Sequence, residues 1–485
     1  VASFLSARRL SDLISPLDHA GPAYREISDR IRLLVVDGRV ADGSRLPSER
    51  ELATVLGVSR TTTTRAYTEL RDAGILHARQ GSGTVVRLPL VTSSASSLIV
   101  TPDDAGTIAL TYAAPAGPPG LARAFETAAG RLPELLATTG YLPDGLPVLR
   151  ERLAQRYTDE GLPTDPEQIV VTSGAMGAIS LLARSLITPG QRVVVEGLSY
   201  PHAHDSFTAA GARLSALPVD RSPWDTEALT SLLAGSPHRA AYLIPDFHNP
   251  TAAVMTDAER SVWARELRRH DVVPIVDESL REINLDGIEL PPHFATYDPR
   301  AILIGSSSKA YWGGLRVGWI RAPREAVMPL VQARMMDDLG TSAFDQLVFS
   351  ELLAEGGQTA AAGRARSRAA RDHLLAELAR ELPAIVAPCP AGGLSLWVTL
   401  PERMSSRLAS TASRHGLLLT PGPRFFTRAG TAGERYLRVP YNQSHEVMTE
   451  VVARLRRAYD EVLGRTVPGA DVVTPGAART LEMIA

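Results

Sequence analysis

Lysine is nearly missing from this chain. Of its 51 basic residues, 50 are arginine and one is lysine, Lys309. Arginine can replace lysine in solubility, ion pairs and phosphate contacts, but its guanidinium stays protonated and cannot attack a carbonyl. Chemistry that needs a neutral amine, such as Schiff-base formation, therefore has a single candidate position. Cysteine is as scarce. Cys389 is alone, which excludes a disulfide within the chain and points to a reducing cytoplasm. No apolar run approaches about 18 residues, so no transmembrane helix is expected, and no signal peptide is expected either. Net charge is only −2, but it is unevenly spread: residues 1–90 hold 13 arginines against 10 acidic residues, and the rest holds 38 basic against 43 acidic. The basic end is the candidate for a polyanionic partner.

What is present suggests several domains. The chain has 485 residues, 44% hydrophobic and 21% charged, the composition of a soluble globular protein of about two to four domains. Residues 1–20 show no clear period and read as an N-terminal arm. From Tyr24, apolar residues recur at Ile27, Ile31, Leu34 and Val35, one face of a helix. Ser48-Glu49-Arg50-Glu51 is a capping box for a short second helix that buries Leu52, Val55 and Leu56 and stops at Gly57. Ser59 caps a third helix, whose first turns are Arg60-Thr61-Thr62-Thr63-Thr64-Arg65. Threonine is a modest helix former; short hydroxyls and arginines at a helix start suit phosphates and base edges. Ile75–Val86 reads as two short strands around a glycine tip, a wing.

Two short helices, a tight turn and a wing make a winged helix-turn-helix over residues 21–87. The stretch LPSERELATVLGVSRTTTTRAYTELRDAGIL, followed by RQGSGTVV, resembles the GntR family. The resemblance implies that the module binds double-stranded operator DNA. Arg50 would contact backbone, Arg60 and Thr62 would enter the major groove, Ser59 and Thr61 would hold phosphate, and Gln80, Gly81 and Ser82 would form the wing contact.

Residues 88–108 are rich in Ser, Pro, Asp and Gly and read as a flexible linker. The second part, 109–466, alternates apolar strands with helical patterns, which gives an α/β fold with a mostly parallel sheet. Expected strands are 169–172, 192–196, 241–244, 272–276 and 301–305. Sites on such sheets lie at strand C-terminal ends, and each candidate polar group falls at one. Gly174, Ala175 and Met176 open a helix whose free N–H groups suit an anionic phosphate. Asp277 could pair with a pyridine nitrogen, Asn249 offers an amide to a ring hydroxyl, and Tyr200 could stack on a flat ring. Ser306, Ser308 and Arg316 flank Lys309 and could complete a phosphate cup. Singly, these residues could as well be a helix cap, a turn residue, a core aromatic and a surface charge. Together they supply amine, pyridinium partner, phosphate cup and stacking ring, the parts of a pyridoxal 5'-phosphate site. No metal site is expected. Residues 346–466 read as a smaller C-terminal subdomain and 467–485 as a loose tail.

TSGAMGAI, SYPH, PDFHNPTA, IVDES and SSSKAYWGGLRVGW arrive in an order that resembles the fold-type I aminotransferases. The resemblance implies that Arg438 clamps a substrate or effector carboxylate and that Tyr141 reaches the phosphate of a partner subunit, giving a homodimer with a shared, potentially domain-swapped arrangement. Two departures stand out. Ala252 replaces the glycine of Asn-Pro-Thr-Gly, and Ser279 and Leu280 stand where a tyrosine usually follows the aspartate. His248, beside Asn249, reads as a packing or surface residue, with compensation for that tyrosine as the alternative. The joined architecture resembles the MocR group of bacterial regulators. That implies a cytoplasmic transcription factor, not an enzyme, which senses pyridoxal phosphate or an amine or amino-acid effector through an aldimine at Lys309. The alternatives are a working aminotransferase with a fused autoregulatory DNA-binding domain, and a scaffold without cofactor.

Overall fold

The computed structural model describes residues 4–14, 17, 22–36, 40, 44–79, 83–86, 106–218, 224–427 and 432–464. The N-terminal unit is built from helices α1 (Ala7–Ile14), α2 (Ala23–Val36), α3 (Glu49–Leu56) and α4 (Arg60–Asp72) and an antiparallel pair, β1 (Leu76–Arg79) and β2 (Gly83–Val86). The arm expected over residues 1–20 is corrected here. Helix α1 places Leu10 and Ile14, one turn apart, in the same core as Ile27, Ile31, Leu52 and Tyr67. Both halves of the Ser48/Glu51 capping box form, and Gly57 at φ 67° makes the left-handed turn that redirects the chain. Ser59 Oγ then accepts from Thr62 N at 3.1 Å and starts α4.

The linker expected over 88–108 falls outside the described residues up to 105, and its far end is ordered. Residues Ile108–Leu110 are strand β3. Helices α5 (Leu121–Gly130), α6 (Leu132–Leu136) and α7 (Pro147–Asp159) follow. Alternation then begins: β4 (Ile169–Thr172), α8 (Gly174–Leu186), β5 (Arg192–Val195), α9 (Pro201–Ala209), β6 (Arg213–Ala216), α10 (Thr226–Gly235), β7 (Ala240–Leu243), α11 (Asp257–Arg269), β8 (Val273–Asp277), α12 (Phe294–Tyr297), β9 (Ile302–Ser306), α13 (Ser307–Ala310) and β10 (Gly318–Arg321). These strands form one seven-stranded sheet in the order β4-β10-β9-β8-β7-β5-β6, with β10 antiparallel to both its neighbours. Side-chain alternation divides the strands between two cores. Val170, Val193, Tyr242, Ile275 and Ile304 enter one, while Val171, Val194, Leu243, Val276 and Leu303 enter the other. Both faces are covered by helices, which is why these strands read as unbroken apolar runs.

Helices α14 (Arg324–Arg334), α15 (Ala343–Ala354) and the long α16 (Gln358–Glu381) lead to the smaller subdomain. Its strands β11 (Ser395–Thr399), β12 (Leu417–Pro421) and β13 (Tyr436–Pro440) join β3 in the order β11-β13-β12-β3, backed by α17 (Ser405–Arg414) and α18 (His445–Val462). Strand β3 runs parallel to β12, so the chain leaving the linker is stitched directly into this subdomain. The tail expected over 467–485 lies outside the described residues. No helix among the described residues is long and apolar enough to cross a membrane.

Candidate functional site

The C-terminal ends of β4, β5, β7, β8 and β9 converge on one cavity of about 140 Å³. Ala175, Met176, Tyr200, Asn249, Asp277, Ser306, Ser308, Lys309 and Arg316 all line it. Gly174 lies just beneath. Its φ is 75°, and a Cβ there would come within 2.8 Å of the Arg316 guanidinium, so only glycine lets Arg316 approach the start of α8. Arg316 donates to Ser173 O at 3.3 Å from a left-handed backbone, φ 51°. Ser306 Oγ accepts from Ser308 N at 3.2 Å, holding the turn that presents Lys309.

Lys309 Nζ donates to Ala113 O at 3.0 Å. Burial, then the positive charges of Arg438 and Arg316, push its amine down to about 8 against the pull of Asp277. Asp277 ends β8 and is buried. Its Oδ1 accepts from Ser279 N at 2.9 Å and its Oδ2 from the Tyr242 hydroxyl at 2.8 Å. Burial raises its pKa against the opposing effect of Ser279, Tyr242 and Lys309. Arg438, fully buried on β13, donates to Thr111 O at 2.6 Å and to Asn249 Oδ1 at 3.5 Å, and its guanidinium lies over the Phe425 ring. Tyr141 does not line this cavity; it is 67% exposed.

The departures from the aminotransferase pattern have structural consequences. Ala252 adopts φ 57°, a left-handed conformation that costs a residue with a Cβ about 1–2 kcal/mol. Leu280 and Ser279 line the cavity where a phenol would stand. His248 lines the cavity as well, with its ring nitrogens directed at protein groups. Its Nδ1 faces Thr251 Oγ1 at 2.8 Å and its Nε2 faces the buried Glu196 at 3.3 Å. Glu196 also takes hydrogen bonds from Ser199, Trp224 and the Ile244 amide. His248 therefore helps brace the Asn249 loop.

Sequence reasoning missed Tyr242, Thr111, Ala113 and Asn442. Tyr242 is visible only as one apolar-strand residue among others; its importance comes from register, since β7 lies beside β8. The other three act on or through backbone carbonyls, which leave no side-chain signature.

In the N-terminal unit, Arg50, Ser59, Arg60 and Thr61 are exposed and Thr62 is half-buried. The threonine run divides. Thr63 is buried and donates to Glu49 O at 2.9 Å and Arg60 O at 3.0 Å, and Thr64 donates to Glu49 Oε2 at 2.8 Å. Two of the four hydroxyls thus brace α3 against α4. Gln80, Gly81 and Ser82 lie outside the described residues.

Residues 135–455 match the aminotransferase class I and II family and residues 23–86 the bacterial regulatory proteins of the gntR family. The chain is 28% identical over 452 residues to the HTH-type transcriptional regulator YdfD of Bacillus subtilis, covering 87% of this chain and 92% of the relative. It is 29% identical over 337 residues to the probable rhizopine catabolism regulatory protein MocR of Rhizobium meliloti, covering 64% and 67%. Among solved structures, the α-aminoadipate aminotransferase LysN of Thermus thermophilus superposes with a TM-score of 0.66 at 30% identity, covering 74% of this chain and 93% of that one.

Proposed function

This chain belongs to the MocR-type regulators, a gntR-family DNA-binding domain joined to an aminotransferase class I and II domain, and on that premise we propose that its second domain senses ligands through pyridoxal phosphate held at Lys309. The observation that carries the proposal is that the only lysine in 485 residues lines the cavity at the ends of the parallel strands.

The residues present fit the cofactor. The start of α8, with Ser306, Ser308 and Arg316, forms an anion cradle that a Cβ at Gly174 would fill. Asp277 is fixed by two donors and keeps lone pairs for a protonated ring nitrogen. Asn249 would meet the ring hydroxyl and Tyr200 the ring face. Bound there, the cofactor supplies an aldehyde that a primary amine can capture. Arg438 would take the carboxylate of an amino-acid effector, bidentately; an amine without a carboxylate, or pyridoxal phosphate itself, would use only the inner part of the site.

Arg50, Ser59, Arg60, Thr61 and Thr62 are the proposed operator contacts. Two copies are needed to read a two-fold operator, and the surface suits a homodimer. Tyr141 and Met336 are 67% and 87% exposed, and Leu142 pairs with Gly340, which sets their two segments side by side; large exposed apolar side chains there suit an interface. In that dimer Tyr141 of each copy would reach the phosphate of a cofactor held by the other. Met336→Arg should convert the dimer to monomer in sedimentation velocity.

A working aminotransferase is the second reading, favoured by the joint presence of Lys309, Asp277 and Arg438 about one cavity. Sustained turnover of an amino acid with a keto acid on the order of 1 per second or more would sink the pure-regulator reading. The first test of the cofactor is visible absorbance on adding pyridoxal phosphate. A borohydride-fixable band is expected in wild type and absent in Lys309→Ala; no band in either removes the cofactor.

A further inference from the structure

The groups that the proposed ligands would occupy are tied to one stretch of backbone. Residues 106–117 run from the linker into the cavity. At the outer end, Arg454 donates to both Gly106 O and Gly416 O, and Ile108 N donates to Gly416 O at 2.8 Å. At the inner end, Thr111 O accepts from Arg438 at 2.6 Å and Ala113 O from Lys309 at 3.0 Å. Between and beyond them, Tyr112 O and Ala114 O accept from Asn442 Nδ2 at 3.1 and 2.9 Å. Lys309 comes from the large sheet's side; Arg438 and Asn442 come from β13 and the residues just after it.

We propose that residues 106–117 are a strap that reports occupancy of the cavity to the DNA-binding domain: a ligand that engages Lys309 frees the Ala113 carbonyl, one that engages Arg438 frees the Thr111 carbonyl, and the loosened strap changes how the linker is held at Gly106. This rests on the reading that Lys309 and Arg438 take up aldehyde and carboxylate.

The competition is chemical. Lys309 Nζ, condensing with an aldehyde, forms a C=N bond and expels one water. It then keeps at most one N–H of an ammonium's three, and its direction is fixed by the new double bond. A ligand carboxylate offers Arg438 two oxygens that share a negative charge in place of the neutral Thr111 and Asn249 carbonyls, and charge-assisted pairs are roughly twice as strong. Only β3, three residues paired with β12, lies between the freed carbonyls and the anchor at Gly106. Slack at the inner end therefore reaches the start of the linker by loosening that short pairing. A ligand shifts the equilibrium only through such differential contacts.

The test is hydrogen–deuterium exchange of the peptide spanning 106–117 in the full-length protein. Three samples are compared: no addition; pyridoxal phosphate, whose aldehyde condenses with Lys309; and N-phosphopyridoxyl-L-leucine, a stable adduct that has no aldehyde and engages Arg438 through its carboxylate. Exchange should rise several-fold with each compound. Asn442→Leu removes two strap bonds without touching a proposed ligand contact. It should move the operator affinity of ligand-free protein by about fivefold or more toward the liganded value, while the pyridoxal phosphate absorbance band is retained. If a compound binds by fluorescence titration and exchange is unchanged, or if folded Asn442→Leu binds operator within about twofold of wild type, the strap is overturned. If neither compound binds, the reading of the cavity falls, and the strap falls with it. Should Asn442→Leu fail to fold, the exchange arms decide alone.

Discussion

The Tyr242 hydroxyl donates to Asp277 Oδ2 at 2.8 Å, and both side chains are buried. Burial, with Asp277 beside it, holds the Tyr242 phenol well above its usual range, so the phenol is always the donor. The bond orients the carboxylate toward the cavity, where the aspartate would meet the ring nitrogen. Tyr242→Phe leaves one oxygen of a buried carboxylate without that donor, at a cost of about 1–3 kcal/mol. A less firmly held aspartate stabilises ring protonation less, and a less positive ring withdraws less from a Schiff-base nitrogen at Lys309, which then keeps its proton to higher pH. The visible band formed with pyridoxal phosphate should therefore titrate at higher pH in Tyr242→Phe than in wild type. Superimposable titrations would show that Tyr242 only fills space.

Lys309 is pushed down to about 8 by burial and by Arg438 and Arg316. Only the neutral amine attacks an aldehyde, and its fraction grows about fivefold between pH 7 and 8 and levels off above about 9. The rate of band formation on mixing with pyridoxal phosphate should follow that curve. A rate still rising steeply from pH 9 to 10 would mean an amine with an ordinary lysine pKa.

In the N-terminal unit, two neighbouring positions on α4 separate recognition from stability. Arg60 is exposed, and Arg60→Ala should weaken specific operator binding by about 1–3 kcal/mol with the melting temperature unchanged. Thr63 faces inward and donates to Glu49 O and Arg60 O. Thr63→Val should destabilise the unit by about 1 kcal/mol and leave discrimination between operator and unrelated DNA intact. Affinity of the wild type should also fall steeply with salt. Unchanged operator affinity in Arg60→Ala would reject α4 as the reading helix.

These contrasts also show what was legible in the chain. The ends of parallel strands must carry the site, so Lys309, Asp277, Asn249 and Tyr200 could be gathered from apolar runs and the polar residues after them. Helix α1 was also legible in principle: Leu10, Leu13, Ile14 and Leu17 keep helical spacing, but eight residues beside polar neighbours give a weak period. Strand β10 was hidden because it turns antiparallel between β9 and β4, and β4 lies far off in sequence; Gly318 matters because a Cβ there would meet Gly174 C at 2.4 Å. The strap was hidden for another reason. Its function is carried by carbonyls that every residue has, and β3 is three residues long.

A last prediction concerns pH and stability, at a place removed from the cavity. His293 is 2% exposed and bridges two carboxylates, Nδ1 to Glu278 Oε2 at 2.8 Å and Nε2 to Glu160 Oε2 at 2.9 Å. Burial alone would lower its pKa, but the two carboxylates outweigh it and raise it to about 9. Arg281 opposes that rise, and the Tyr157 ring packs edge-on at 5.0 Å. Because the folded pKa lies above the ordinary value near 6.5, the imidazolium stabilises the fold fully below about pH 6.5 and loses that contribution as pH climbs through about 9. The amount at stake is on the order of 3 kcal/mol. Lys309, whose folded pKa is depressed, acts in the opposite sense above about pH 8, so the wild-type curve alone mixes the two. The difference between wild type and His293→Gln isolates the histidine, because Lys309 is common to both. That difference should be large and constant below about pH 6.5 and shrink between about pH 6.5 and 9, measured by denaturant unfolding of the second domain. Parallel curves across that window would mean that His293 is held neutral between the two glutamates.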